Sequence, residues 1–430
     1  MRVGENLCPG IFHAVPAKDG MLIRIRIPAG LISAPQLSAV ATLSAAFADG
    51  QVEITSRGNL QLRAIEERSL PEVVAKLTSM ELLPSQQHDR VRNISSSPLA
   101  GLDPDEFVDT RPLVRKLDKH LIADEAFIHL HPKFSFGIYG GGSLFSHEQD
   151  DLALHAIRDA GPNQSARFQL FIGGADTGSA VGRDEAVDSL LLAATLCIQT
   201  AEQYGLPVRC KRLAATPGVM DHILQTLSPF LAPSAHFCLP RKVALAPIGI
   251  HPSAQSCERN FIPGVPLGRL TSDQAEDLSQ LATASRGDLR LAPWRGIVLG
   301  GVPLTNVTSV VTRLNSIGLY LDGRDGFHGI AACAGNAGCD ASLADVRGDA
   351  AMLAQRLTGH ALLTGWTVNL AGCEKQCAMR HGATIELIGT SSGYLVRMDG
   401  MPAYESCSSE AALNLIAASH SRFASEGTSS

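Results

Sequence analysis

Cys333-Ala-Gly-Asn-Ala-Gly-Cys339 and Cys373-Glu-Lys-Gln-Cys377 place four cysteines in two short loops, as C-x5-C and then C-x3-C. Between them, Ser342 to Gly359 carries a helical pattern and Trp366 to Leu370 a strand pattern. A helix out and a strand back return the chain to the same point. Four thiolates on loops joined in this way can surround one compact inorganic centre, and thiolate ligation is the usual way to hold an iron–sulfur cluster. Zinc usually takes pairs spaced C-x2-4-C, which the first pair does not match. Disulfides need an oxidising compartment, and buried packing cysteines are the remaining alternative. The spacing favours a [4Fe–4S] cluster held by Cys333, Cys339, Cys373 and Cys377.

The chain has 430 residues, enough for two or more packed units, and 45% of them are hydrophobic, as in a globular protein. A net charge of -6 without a long basic run argues against a nucleic-acid partner. No apolar run approaches the ~18 residues of a spanning helix. Met1-Arg-Val-Gly-Glu-Asn6 lacks the apolar segment of a signal peptide. The expectation is a cytoplasmic protein in a reducing environment, away from membranes. Cys8, Cys197, Cys210, Cys238, Cys257 and Cys407 show no ligand spacing, and most of them read as packing residues.

From about residue 14 to 84 the chain reads strand (Leu22–Ile27), helix (Ala34–Ala48, capped by Ser33), strands (Val52–Thr55, Leu60–Leu62) and helix (Leu70–Ser79). That is the order of a ferredoxin-like unit. The pattern returns near residue 265. Ile27-Pro-Ala-Gly30 matches Val265-Pro-Leu-Gly268, Gln36 falls on Gln274, and Arg57-Gly58 falls on Arg295-Gly296. Val73-Val-Ala-Lys-Leu-Thr-Ser-Met-Glu-Leu82 matches Val310-Val-Thr-Arg-Leu-Asn-Ser-Ile-Gly-Leu319 after a one-residue slip. Helical amphipathicity explains the Val and Leu matches but not the sustained spacing, so the chain is duplicated.

The segments after each unit correspond more faintly. Asn93-Ile94 falls near Gly329-Ile330, which puts Ser97 opposite Cys333. Leu117-Asp-Lys-His120 matches Leu357-Thr-Gly-His360, and Ile128-His-Leu130 matches Val368-Asn-Leu370, which puts Lys133 opposite Cys373. The expected organisation is therefore α+β, with units at 1–85, 86–235, 236–322 and 323–430. One half would hold the cluster, and the other would supply cations to a ligand lying between them. Residues 140–175 read as loop followed by a strand at Phe168–Ile172, and Asp184 to Tyr204 reads as an apolar helix.

Ala332-Cys333-x5-Cys339 with Gly372-Cys373-x3-Cys377 resembles the cluster signature of the nitrite/sulfite reductase superfamily. Leu7-Cys-Pro-Gly-Ile-Phe-His13, Asp19-Gly-Met-Leu-Ile-Arg24 and Pro293-Trp-Arg-Gly296 are similar to the precorrin-3B synthases, its oxygen-dependent branch in aerobic cobalamin synthesis. The resemblance covers nearly the whole chain. It implies a duplicated nitrite/sulfite-reductase-like architecture: two ferredoxin-like half-domains, each followed by an α+β domain, the second with the cluster. It also implies hydroxylation of precorrin-3A at C20 with closure of a γ-lactone, one oxygen atom coming from dioxygen.

In the superfamily, an Arg at a strand end, an Arg-Asn pair and a Pro-(Arg)-Lys-Phe motif grip tetrapyrrole carboxylates. Those roles carry to Arg57, Arg92 and Lys133, and the repeat adds Arg295. Several convergent cations suit a polycarboxylate, and Arg binds carboxylates with two parallel bonds. The superfamily's second lysine is Ser135 here, a departure from the sirohaem reductase pattern. Under the synthase reading the tetrapyrrole is metal-free substrate and Cys377 ligates only the cluster. Sirohaem belongs to the alternative, a nitrite or sulfite reductase. A non-catalytic electron-transfer or tetrapyrrole-carrier protein is a third reading. The resemblance also points to a mononuclear non-haem iron. His129 and His131, read as sharing one strand face, are candidate ligands without an identifiable carboxylate partner, and His381 is another. No G-x-G-x-x-G follows a strand pattern, so electrons would come from outside the chain, from NADH through a separate reductase or carrier.

Overall fold

The computed structural model describes residues 8–142, 144, 149–158, 166–235, 246–359, 366–379, 383–399 and 403–426. Two antiparallel sheets lie at its centre. One runs Val15–Ala17, Gly20–Ile25, Leu60–Ile65, Gln51–Ile54 in spatial order, and Arg269–Thr271 from the second copy joins its edge. The other runs Gly249–Pro252, Glu258–Ile262, Gly296–Pro303, Asp288–Ala292.

The helices Ala34–Phe47 and Ser272–Ser285 pack on each other, and Ser279 Oγ donates to Ala34 O across the contact at 2.7 Å. Ile23, Leu37, Val40 and Leu77 from the first copy share one core with Leu270, Leu278, Val310 and Leu314 from the second. Each such side chain is worth roughly 1.5–3 kcal/mol when fully buried, so the shared core binds the two halves together.

The duplication shows in backbone detail. Ala29 and Leu267 both adopt φ near +54° (53° and 54°) in the turns Pro28–Gly30 and Pro266–Gly268. Ser33 with Gln36 and Thr271 with Gln274 form reciprocal capping boxes. Gln36 Nε2 donates to Met80 O, and Gln274 Nε2 to Ile317 O, at 3.1 and 2.7 Å. The slip lies at the helix C-terminus: Gly50 N–H donates to Ser44 O, whereas Gly287 N–H reaches Ala282 O over one residue fewer. Consequently Ile54 faces Leu60 as Leu291 faces Ile297. Gly58 (φ 64°) then falls on Arg295 (φ 61°). The expected pairing of Arg57 with Arg295 is off by one, and Arg57 falls on Trp294.

Each flanking domain is a mixed sheet. In the first, Ile94–Ser96, Phe136–Tyr139 and Leu152–Arg158 pair in parallel, and Ala166–Ile172 and Ala175–Gly182 continue antiparallel. In the second, Ile330–Ala332, Val368–Ala371 and Ile385–Thr390 are parallel, followed by Gly393–Met398 and Tyr404–Cys407. Parallel neighbours need a crossover, and Arg111–Ala123 and Val346–Leu357 supply the helices.

Phe136 pairs with Ile94 as Val368 pairs with Ile330. Ser97 therefore stands opposite Cys333 as expected, but Gly141, not Lys133, stands opposite Cys373. Ile128-His-Leu130 is no strand: it falls at the end of a 3-10 turn, Glu125–His129, started by Asp124 accepting from Ala126 N at 2.9 Å. The region read as loop before Phe168 contains the buried strand Leu152–Arg158.

Arg290 fastens the second half-domain to the first flanking domain. Its side chain is fully buried; it donates to Pro98 O and Ala100 O at 3.2 and 2.6 Å and pairs with Asp288. Removing one partner of a buried charge network typically costs about 3 kcal/mol or more. Arg290→Met should lose about that much unfolding free energy in urea titrations. Arg68→Ala, in an exposed pair with Glu66, should change it by less than about 0.5 kcal/mol.

Candidate functional site

Two parallel strands end side by side, so the loops leaving their carboxyl ends lie together. Cys333 follows Ile330–Ala332, and its N–H donates to Leu370 O at 3.2 Å. Cys373 lies just past Val368–Ala371, and Gln376 N–H closes a turn onto Cys373 O at 3.2 Å. Cys339 ends the short helix Gly335–Gly338. Ser342 N–H donates to Cys339 O at 3.1 Å, and Leu343 N–H to Gly372 O at 2.8 Å. Gly372 admits no side chain, since a Cβ there would stand 1.8 Å from Ser342 Oγ. Its N–H instead points at Cys333 Sγ, 3.3 Å away.

Cys333, Cys339 and Cys373 are half-buried, Cys377 is exposed, and none is in a disulfide. The backbone thus knits the four cysteine positions into one loop cluster, and soft thiolates are the donors an iron–sulfur centre takes. Among the described residues, no three Cys, His, Asp or Glu side chains stand at metal-binding spacing. The loops are assembled, but the thiols are not drawn to a point.

The first copy has the same frame with different chemistry. Ser97 stands for Cys333, Asp103 for Cys339 and Gly141 for Cys373. Asp103 is buried, and nearby Glu106 is pushed up to about 7, mainly by burial.

The candidate cations divide into two groups. Arg57 lies in the turn after Gln51–Ile54, where Gly58 packs on the Leu291 carbonyl of the second copy. Arg57 is close to Asp150, whose carboxyl is shifted up by complete burial and drawn down by that guanidinium. Tyr139 OH donates to Asp150 at 2.8 Å. Arg295 occupies the neighbouring turn, and its Nη2 donates to Ala378 O in the cysteine loop at 2.9 Å. These two turns meet at the junction of the half-domains, one directed to each flanking domain.

Arg92 and Lys133 lie on loops joined by Asn93, whose Nδ2 donates to Pro132 O and Phe134 O at 3.1 and 3.0 Å. Lys133 is exposed. Arg92 is buried and bidentate to Asp118 at 2.8 and 2.7 Å, so its fork is already engaged. Ser135 is completely buried and projects no cation.

His129 and His131 line a cleft of about 310 Å³ with Gln87, Arg90 and Pro207, and among the described residues no Asp or Glu lines it. The expected shared strand face does not exist, because His129 ends a 3-10 turn. His381 lies outside the described residues. Reading 140–167 as loop concealed His155. It is buried on Leu152–Arg158, stacked on Tyr139 at 4.6 Å and edge-on to Phe171 at 4.9 Å. Burial lowers its pKa to about 4.

Residues 13–80 and 261–317 match the nitrite/sulfite reductase ferredoxin-like half domain, and residues 87–193 match the nitrite and sulphite reductase 4Fe-4S domain. The chain is 27% identical over 401 residues to a precorrin-3B synthase of a Sinorhizobium species, covering 92% of this chain and 83% of that protein. It is 28% identical over 444 residues to ferredoxin–nitrite reductase of Synechococcus elongatus, covering 91% and 80%. The structure of Mycobacterium tuberculosis NirA shares the fold with a TM-score of 0.76 at 21% identity, over 92% of this chain and 79% of that one.

The chain belongs to the nitrite/sulfite reductase superfamily. Its relatives are oxidoreductases, and so is the class it falls in. The 4Fe-4S domain match supports an iron–sulfur cluster. The matched copy is the one without the cysteine loops, which lie in its duplicate. Among the described residues no helix is long and apolar enough to cross a membrane.

His155 yields a pH test. Its folded pKa of about 4 lies below its ordinary 6.5, so the unfolded chain takes up the proton first as pH falls. Stability present above pH 6.5 is lost toward pH 4, by about 3 kcal/mol in total. Urea titrations across this window should show that difference between the protein and His155→Gln, which lacks the ionisation.

Proposed function

We propose that the chain is a precorrin-3B synthase, acting on a metal-free tetrapyrrole with dioxygen in the cytoplasm. Precorrin-3A is hydroxylated at C20 and a ring-A acetate closes onto C1 as a γ-lactone. One oxygen atom enters the product and the other leaves as water, with two electrons from an external donor. The observation that carries this reading is the full-length similarity to the Sinorhizobium synthase, 92% of this chain and 83% of that one. The buried Ser135, where the superfamily's sirohaem reductases carry a second lysine, supports it. A nitrite or sulfite reductase using sirohaem is the second reading, favoured by the equally close nitrite reductase similarity of 28%.

Cys333, Cys339, Cys373 and Cys377 would hold a [4Fe–4S] cluster, which supplies electrons singly when bound. Arg57 and Arg295 receive substrate carboxylates at the half-domain junction, and exposed Lys133 adds a third cation. Arg92 is assigned to holding its loop against helix Arg111–Ala123 through Asp118. No ligand set for a mononuclear iron is assigned.

Incubation with precorrin-3A, reductant and ¹⁸O₂ should give product carrying one ¹⁸O by mass spectrometry. Reduction of nitrite or sulfite by reduced viologen, without that product, would establish the second reading. Arg57→Ala should raise KM for the tetrapyrrole about tenfold or more, as for a lost charge-assisted pair, with the cluster spectrum unchanged. Cys339→Ala should lose the cluster absorption.

A further inference from the structure

Arg63 lies on Leu60–Ile65 of the first half-domain yet acts on the cysteine loop of the last domain. It is buried, holds Asp19 through Nε and Nη2 at 2.9 and 3.0 Å, and donates from Nη2 to Gly338 O, one residue before Cys339. Lys18, beside Asp19, donates from Nζ to Asn336 O of the same loop at 2.7 Å. A Cβ on Gly338 would stand 2.7 Å from Arg63 Nη2 and 3.0 Å from Asp19 Oδ2, so the loop is glycine where the ion pair meets it.

The duplication provides an internal control. In the register set by the strand pairings, Arg63 falls on Gly300 and Gly338 falls on Leu102. These two also meet: a Cβ on Gly300 would lie 2.2 Å from Leu102 Cδ1. The Leu102 carbonyl, counterpart of Gly338 O, is held by neutral donors, Asn260 Nδ2 at 3.1 Å and Ala254 N at 2.9 Å. The fold thus satisfies this carbonyl without charge where the cysteines are absent. The cysteine-free loop also meets a buried ion pair, Arg290 with Asp288, but at its Pro98 and Ala100 carbonyls; at the carbonyl one residue before the cysteine position, the charged clamp belongs to the cysteine-bearing copy.

We infer that Arg63, set by Asp19 and assisted by Lys18, is a positioning residue that fixes the Cys339 loop and raises the cluster's reduction potential. The inference rests on the cluster assignment above. Reduction adds negative charge to a thiolate-ligated cluster, so a desolvated cation beside it favours the reduced form, and an anion opposes it. The electrostatic role therefore predicts shifts of opposite sign at two residues in contact with each other.

The test is an anaerobic potentiometric titration of the holoprotein followed by EPR. Arg63→Met should lower the reduced-to-oxidised ratio at fixed potential about tenfold, about 59 mV for one electron. Asp19→Asn should shift the potential upward, Lys18→Gln downward by less than Arg63→Met, and Arg63→Lys should restore most of the wild-type value. If Arg63→Met assembles no cluster, the opposite shifts of Asp19→Asn and Lys18→Gln decide alone. Clusters titrating at the wild-type potential in these variants would overturn the inference and leave only a structural clamp. A wild-type protein without acid-labile sulfide would instead overturn the cluster assignment itself.

Discussion

The contact between the helices Ala34–Phe47 and Ser272–Ser285 organises the molecule. Buried side chains from both half-domains close one continuous core across it. Arg269–Thr271 completes the joint by pairing with Gln51–Glu53. Once the halves are locked in this pseudo-symmetric pair, the hairpin turns carrying Arg57 and Arg295 must meet at the junction. The two flanking domains must then lie on either side of it. A ligand held at that junction would face cations from both halves and the cysteine loop of only one.

Symmetry of backbone with asymmetry of chemistry is the main result of the duplication. Ser97, Asp103 and Gly141 occupy the frame that Cys333, Cys339 and Cys373 occupy in the second copy. The carbonyls of Leu102 and Gly338 are equivalent, yet one is held by amides and the other by a guanidinium. Positions that agree between the copies, such as the capping boxes and the left-handed turns at Ala29 and Leu267, serve the fold. Those that differ are where function is to be sought.

Much of this was legible in the sequence where local backbone chemistry repeats. Pro-x-Gly turns, Ser or Thr caps answered by Gln, and the Val/Leu spacing of the last helix carry their own geometry. The register beyond Asn93 was harder. Ile128-His-Leu130 has strand composition, but Asp124 caps the chain into a 3-10 turn. The true counterpart, Phe136–Tyr139, is buried on both faces and shows no alternation. The same continuous burial hid Leu152–Arg158 and with it His155. A single residue fewer after Ser272–Ser285 moved Arg295 opposite Gly58, a shift no motif marks. The Arg63–Asp19–Gly338 clamp joins residues 275 apart, and the sequence carries no periodic trace of it. Arg92 was legible as a motif residue, but its engagement by Asp118 depends on where helix Arg111–Ala123 lies.

The central claim is that the four cysteines hold an iron–sulfur cluster in a protein without sirohaem. The most direct test is an anaerobic visible spectrum of the purified protein with iron and acid-labile sulfide counted on the same sample. The account predicts a broad charge-transfer shoulder, about four sulfides per chain as in a [4Fe–4S] centre, and no Soret-like band. Strong sirohaem bands would contradict the synthase reading, and absence of sulfide would contradict the cluster.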